Sequence, residues 1–155
     1  MKKILVVSKS NFFKKNIKNK NFFFIQNKKY LNLTYLNKLR PDIIFVPHWS
    51  WKINKEIINK YLCIGFHATP LPYGRGGSPV QNMILKGFLK TKLCALKLDK
   101  KLDSGPIYKQ VNVSLKGSGS EIFTRIYKKI LILIKDLSLR LPIPKKQYGK
   151  ITFFK

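Results

Sequence analysis

The residues best suited to chemistry in this sequence sit in segments built for turns. His67 follows the apolar run Cys63-Ile-Gly-Phe and precedes ATPLPYGRGGSPVQN, where three prolines and three glycines fall within fifteen residues. An imidazole titrates near neutrality, so a histidine at a strand end can carry a proton or stabilise developing negative charge. It can equally be a turn histidine satisfied by backbone. Asp99 and Asp103 are two of only six acidic residues and lie together in LDKKLDSGP. Such carboxylates can orient a histidine or hold a water, and they also suit a charged hairpin turn. The glycines of YGRGGSP let backbone amides approach a ligand ahead of a helix. No Gly-Lys-Ser/Thr follows them, and MKKILVVSKSN carries no GxGxxG, which disfavours nucleotide hydrolysis and dinucleotide binding. Trp49 and Trp51 can stack on a flat ligand or anchor a loop. Cys63 and Cys94 lack metal-ligand spacing and read as reduced core thiols, so no metal is called for.

The elements that must position these residues alternate. ILVVS (4–8) and NFFFIQ (21–26) read as strands, joined by a Lys/Asn-rich connection of weak periodicity. YLNLTYLNKL (30–39) places Leu33, Leu36 and Leu39 on one helical face and stops at Pro41. DIIFVPHW is a buried strand, INKEIINKY (53–61) an amphipathic helix, and CIGF the next strand. Ser78-Pro79 reads as a helix start with Ser at the N-cap, and Val80, Met83, Ile84 and Phe88 form the expected inward stripe. KLCALKL (92–98) and IYKQVNVSL (107–115) alternate like strands around DKKLDSGP. Ser118 and Glu121 form a capping-box pattern opening a helix to about Leu139, its apolar face running through Ile122, Ile126, Ile130, Leu133 and Leu137. QYGKITFFK suggests one more strand. Strands apolar on both faces, separated by helices, predict an α/β domain with a mostly parallel sheet covered on both sides. In such sheets ligands bind beyond the carboxyl ends of the strands. PHWSW, HATPLPYGRGG and LDKKLDSGP all fall there.

A chain of 155 residues suffices for one domain, which we expect to span 1–155 with no second, C-terminal domain. ILILI (130–134) is too short to cross a bilayer, and the four apolar residues after the N-terminal lysines are too few for a signal peptide. We therefore expect a cytoplasmic protein without membrane contact. The net charge of +26 would suit a polyanion or a phosphate-bearing substrate. Yet only 4 of the 32 basic residues are Arg, and Asn, Ile and Phe are abundant beside Lys, as an AT-rich codon bias would produce. Most of this charge is read as a solvated surface.

His67-Ala-Thr-Pro-Leu-Pro, then Gly74 or Gly76, a helix, and Leu102-Asp103-Ser104-Gly105 together resemble the family of 10-formyltetrahydrofolate-dependent formyltransferases. That family's pattern is Asn-x-His-x-Ser-Leu-Leu-Pro, a glycine, and a Leu-Asp-x-Gly at an interval close to the 36 residues between His67 and Asp103. PDIIFVPHWSWKI resembles the strand and loop preceding the motif, and the likeness runs from about Tyr30 to Ile130. The resemblance implies a Rossmann-like catalytic domain, a formyl group taken from 10-formyltetrahydrofolate, and an amine as acceptor. His67 would stabilise the oxyanion or protonate the leaving nitrogen, and Asp103 would hold His67 or a water. The folate would lie among His48, Trp49, Ser50, Trp51, Asp99 and Leu102. A homodimer is a family-level expectation.

Where the family has its Asn this chain has Gly65, and loss of an oxyanion donor costs roughly 10²–10³ in turnover. Asn82 or Gln81 is expected to supply the missing amide. GRGGSPVQN is associated with the sugar-acting branch, and the first strand lacks a Gly-rich phosphate loop. The leading acceptor expected is therefore an amino sugar carried on a nucleotide. The alternatives are formylation of methionyl-tRNA, a catalytically impaired folate- or RNA-binding homologue, and a general nucleic-acid binder.

Overall fold

The computed structural model describes residues 1–48 and 52–155. The chain forms two compact units, Met1–Gly65 and Phe66–Lys155, whose boundary falls inside a strand. The first unit contains β1 (Ile4–Val7), α1 (Phe12–Asn16), β2 (Phe22–Ile25), α2 (Leu33–Leu39), β3 (Ile43–Val46), α3 (Lys55–Lys60) and the start of β4 (Cys63–His67). β1 pairs in parallel with β2 (Ile4↔Phe22) and with β3 (Ile4↔Ile43), and β3 pairs in parallel with β4 (Ile44↔Cys63). Every residue of β1 and β3 is buried, as runs apolar on both faces require. Asn32 and Asn54 cap α2 and α3, their side chains accepting from the backbone N–H of Tyr35 and Glu56. Arg40 closes α2 in the left-handed conformation just before Pro41.

The second unit contains the end of β4, β5 (Arg75–Gly76), α4 (Pro79–Leu85), β6 (Lys90–Lys97), β7 (Ile107–Ser114), α5 (Gly119–Leu139) and β8 (Phe153–Phe154). β6 and β7 form an antiparallel hairpin from Lys90↔Ser114 to Leu96↔Ile107, irregular at Ala95/Leu96. β5 and β8 make a separate two-residue parallel pair. The large sheet has the order β2-β1-β3-β4-β6-β7, so the expected mostly parallel α/β sheet is present with one antiparallel edge strand. The capping box of α5 is complete, with reciprocal bonds between Ser118 and Glu121. Its buried face is the predicted one with Ile134 added.

Three expectations need correction. The connection after β1 contains α1, a five-residue helix whose single buried residue is Phe13; one aromatic anchor leaves no periodicity to read. Ser78 does not cap α4 with its side chain, because it sits at φ +49 and not in the extended conformation that capping uses. Val80 and Met83 are buried as predicted, but Ile84 and Phe88 are each 42 % exposed. The helix ends at Leu85, where Gly87 at φ +82 forms a Schellman turn with bonds from Gly87 N–H to Ile84 O and from Phe88 N–H to Met83 O. The chain therefore leaves the helix before Phe88 can join its inner face.

Two consequences are measurable. A Cβ on Gly105 would run into the backbone carbonyl of Lys97, whereas one on Gly119 meets nothing within 4 Å. Gly105→Ala should lower the unfolding free energy by about 1–3 kcal/mol, and Gly119→Ala should not lower it, as read by urea titration. Burial pushes the Cys63 thiol from its ordinary 9.0 up to about 12. A thiol raised in the folded state stabilises fully below its unfolded value, and that contribution fades as pH rises from 9.0 toward 12. Cys63→Ala should therefore lose less stability than the wild type across that window.

Candidate functional site

β4 ends by delivering His67 into residues 68–74, a loop in which Ala68, Thr69 and Leu71 are buried. A buried loop is tolerable only if its backbone polar groups find partners. β6 supplies two of them: Thr91 Oγ1 donates to the Ala68 carbonyl at 2.9 Å and the Cys94 thiol donates to the Thr69 carbonyl at 3.1 Å. Burial raises the Cys94 thiol above its ordinary value, which keeps its proton available as a donor. Within the loop, Thr69 Oγ1 donates to the Tyr73 carbonyl at 2.6 Å, and Leu71–Pro72 is a cis peptide. His67 closes the loop, its Nε2 lying 2.7 Å from the Gly74 carbonyl. A carbonyl can only accept, so Nε2 carries the proton and Nδ1 is the nitrogen left for chemistry.

Nδ1 lies 3.6 Å from Asp103 Oδ2, with the two side chains 6 % and 15 % exposed. Asp103 sits at φ +51 in the loop between β6 and β7, a strained conformation costing about 1–3 kcal/mol for a residue other than glycine. The same Oδ2 accepts from the Gly76 N–H at 2.9 Å. One backbone amide of the glycine segment is thus committed to the carboxylate. The pair can move a proton: one taken up at Nδ1 arrives beside a carboxylate, and one released from Nδ1 leaves a ring still bonded through Nε2–H.

The chain returns to this place at its far end. Lys145 exchanges two backbone bonds with Ile107. Gln147 donates to the carbonyls of Asp103 (2.8 Å) and Gly105 (2.9 Å) and accepts from Arg75. Thr152 accepts from the Gly74 N–H at 2.7 Å through its hydroxyl and from the Arg75 N–H at 2.9 Å through its carbonyl. Gly76, at φ +102, has no room for a side chain: a Cβ there would lie 2.5 Å from the Phe154 carbonyl. Tyr73 and Phe154 meet edge to face at 5.7 Å between ring centres.

Of the residues singled out from sequence, His67 and Asp103 are brought together. Asn82 is not free to serve them as it stands, because its amide N–H groups donate to the carbonyls of Gly77 and Ser78. Asp99 is exposed and turns its carboxylate onto the N–H of Lys100. Leu102 is 64 % exposed beside Asp103. His48 belongs to the first unit, at φ +47, with its imidazole held below the ordinary value by partial burial and then by the Lys9 charge. Trp49, Ser50 and Trp51 lie outside the described residues. Gly65 is a buried position of β4 paired with Val46. Among the described residues no His, Cys, Asp and Glu side chains cluster as a metal site would need, and no helix is long and apolar enough to cross a membrane. Sequence reasoning missed Thr91, Cys94, Gln147 and Thr152. Their hydrogen-bonding side chains were visible, but nothing local says where they reach.

No family model matches the chain. A methionyl-tRNA formyltransferase of Wolbachia pipientis is 38% identical over 103 residues, which cover 65% of this chain and 34% of that protein. The match thus spans about a third of the length of that curated relative. The solved methionyl-tRNA formyltransferase from Clostridium thermocellum superposes with a TM-score of 0.89 at 38% identity, covering 99% of this chain and 72% of that one. The formyltransferase PseJ from Anoxybacillus kamchatkensis, solved with a UDP-linked formamido sugar and tetrahydrofolate, shares the fold with a TM-score of 0.72 at 18% identity, covering 97% and 84%.

The loop that carries His67 should be sensitive to its donors. Thr91→Val leaves the buried Ala68 carbonyl unpaired and should cost about 1–3 kcal/mol of stability, whereas Thr91→Ser keeps the hydroxyl and should recover most of it by the same denaturant titration.

Proposed function

This chain belongs to the formyltransferase family, and on that premise we propose that it transfers a formyl group from 10-formyltetrahydrofolate to an amine, the α-amino group of methionyl-tRNA. The observation that carries the reading is the His67 Nδ1–Asp103 Oδ2 approach at 3.6 Å with Nε2 committed elsewhere. The acceptor is favoured by sequence distance. Proteins named for methionyl-tRNA are 38% identical to this chain, while the sugar-acting PseJ is 18% identical and shares only the fold. The nucleotide-linked amino sugar therefore gives way as the leading acceptor. The basic surface suits a tRNA.

The residues fit such a donor. Asp103 Oδ1 accepts no hydrogen bond among the described residues, and Leu102 offers an exposed apolar side chain next to it. Leu102 and Asp99 would hold the folate. When bound, the donor supplies an electrophilic formyl carbon and a nitrogen leaving group. The chain's task is then proton management, since the attacking amine must lose one proton and the leaving nitrogen must gain one. His67 Nδ1 can do both, directly or through a water, and return to its starting state. While the proton rests on Nδ1, Asp103 faces it as counter-charge and Nε2–H keeps its bond to Gly74. With glycine at position 65 and the Asn82 amide committed, Nδ1–H, with the Gln81 amide as the other candidate, is a donor that can meet negative charge developing on the formyl oxygen.

The test is formylation of methionyl-tRNA by the purified chain with 10-formyltetrahydrofolate, read on acid-urea gels beside a nucleotide-linked amino sugar. Formyl-methionyl-tRNA should form, with KM for tRNA rising steeply with salt. His67→Ala and Asp103→Asn should each lower turnover by roughly 10²–10⁴. A folded protein that formylates neither amine sinks the proposal, and one that binds a donor analogue without turnover is the binding-only homologue.

A further inference from the structure

We propose that Gln147 is a positioning residue for the His67–Asp103 pair, acting through the backbone of the loop that carries the carboxylate. The proposal rests on the reading of those two residues as the reacting groups. Its basis is a side-chain amide with its full hydrogen-bonding capacity used. The two N–H groups of Nε2 meet the carbonyls of Asp103 and Gly105 at 2.8 and 2.9 Å, and Oε1 accepts from Arg75 Nη2 at 2.9 Å and Nε at 3.3 Å. The amide cannot be turned over, because carbonyls only accept and a guanidinium only donates.

The consequence is geometric. Asp103 is held at φ +51, a conformation its own backbone does not favour, and its carboxylate must stay within 3.6 Å of Nδ1. The Gly76 N–H fixes the carboxylate end of that residue, and Gln147 fixes the carbonyl end. Gly105, two residues on, is packed against Lys97 and bonded to the same amide, so the loop is tied on both sides of Ser104. Arg75 precedes Gly76, the residue that donates to Asp103 Oδ2. One amide therefore joins the strand that holds the carboxylate to the loop that carries it. A residue with this role contributes to catalysis without touching substrate: its loss displaces Oδ2 from Nδ1 and leaves the donor-binding surface of Leu102 in place.

The experiment uses two readouts on Gln147→Glu, which keeps acceptors for Arg75 and loses both donors to the loop carbonyls. The first needs no substrate. The chain has two histidines, so the imidazole 15N signals of uniformly labelled protein are few, and His48→Gln assigns them. The His67 Nδ1 signal of Gln147→Glu should move from its wild-type position toward that of Asp103→Asn. The second is formylation of methionyl-tRNA, where single-turnover rate should fall by roughly 10²-fold and KM for the formyl donor should stay within about threefold. A folded Gln147→Glu whose Nδ1 signal stays at the wild-type position overturns the proposal. If the wild type shows no transferase activity, the proposed function falls by itself and the 15N shift still decides the role of Gln147. Should Gln147→Glu fail to fold, Gln147→Met, of similar shape and without hydrogen bonds, replaces it with the same two outcomes.

Discussion

The 2.7 Å hydrogen bond from His67 Nε2 to the Gly74 carbonyl is the contact on which the candidate site depends. It does two things at once. It closes residues 68–73 into a fixed loop, and it assigns the ring proton, leaving Nδ1 as the nitrogen opposite Asp103. A histidine satisfied by its own turn and a histidine poised for proton transfer are commonly weighed as rival readings. Here the geometry of one ring is compatible with both, because Nε2 is bonded to the turn and Nδ1 faces Asp103.

The loop around that bond is held by further hydrogen bonds. Each net hydrogen bond contributes about 0.5–1.5 kcal/mol, but a buried carbonyl left alone costs about 1–3 kcal/mol, so the asymmetry governs. Thr91 and Cys94 answer the carbonyls from one side, and Thr152 answers the Gly74 amide from the segment near the end of the chain. Gly74 and Gly76 lack side chains where Phe154 approaches, its ring at the first and its carbonyl at the second. The glycine-rich stretch therefore serves close backbone packing at least as much as it serves any ligand.

The scarce carboxylates of this basic chain are also informative. Asp42 accepts from the Lys3 N–H, Glu56 stands in the first turn of α3, Glu121 completes the capping box, and Asp136 pairs with Lys109. Asp99 folds back on its own turn. Asp103 is the acid whose carboxylate lies 3.6 Å from a histidine nitrogen among the described residues. In a chain of net charge +26, five of the six acids have a defined donor or cation as partner, and Glu56 stands in a helix first turn where negative charge is favoured.

The order of strands and helices, the parallel sheet, the capped helix α5 and the two motif residues were legible in the sequence. They depend on local signals: apolar runs, period, caps, and turn residues at fixed spacing. What misled was equally local, as when the stripe continued on paper to Phe88 although Gly87 had already turned the chain. The two-residue strand β5, the pairing of β8 with it and the amide of Gln147 had no such signal. Their partners lie about seventy residues away for Arg75 and more than forty for Asp103, as the bonds to Gln147 record. The sequence by itself determined most of the elements that form and marked two side chains, His67 and Asp103, as candidates for chemistry. Only the tertiary structure decided the ring nitrogen available, the carboxylate oxygen facing it and the residues that hold them, because hydrogen bonds between distant segments exist only once the chain has folded.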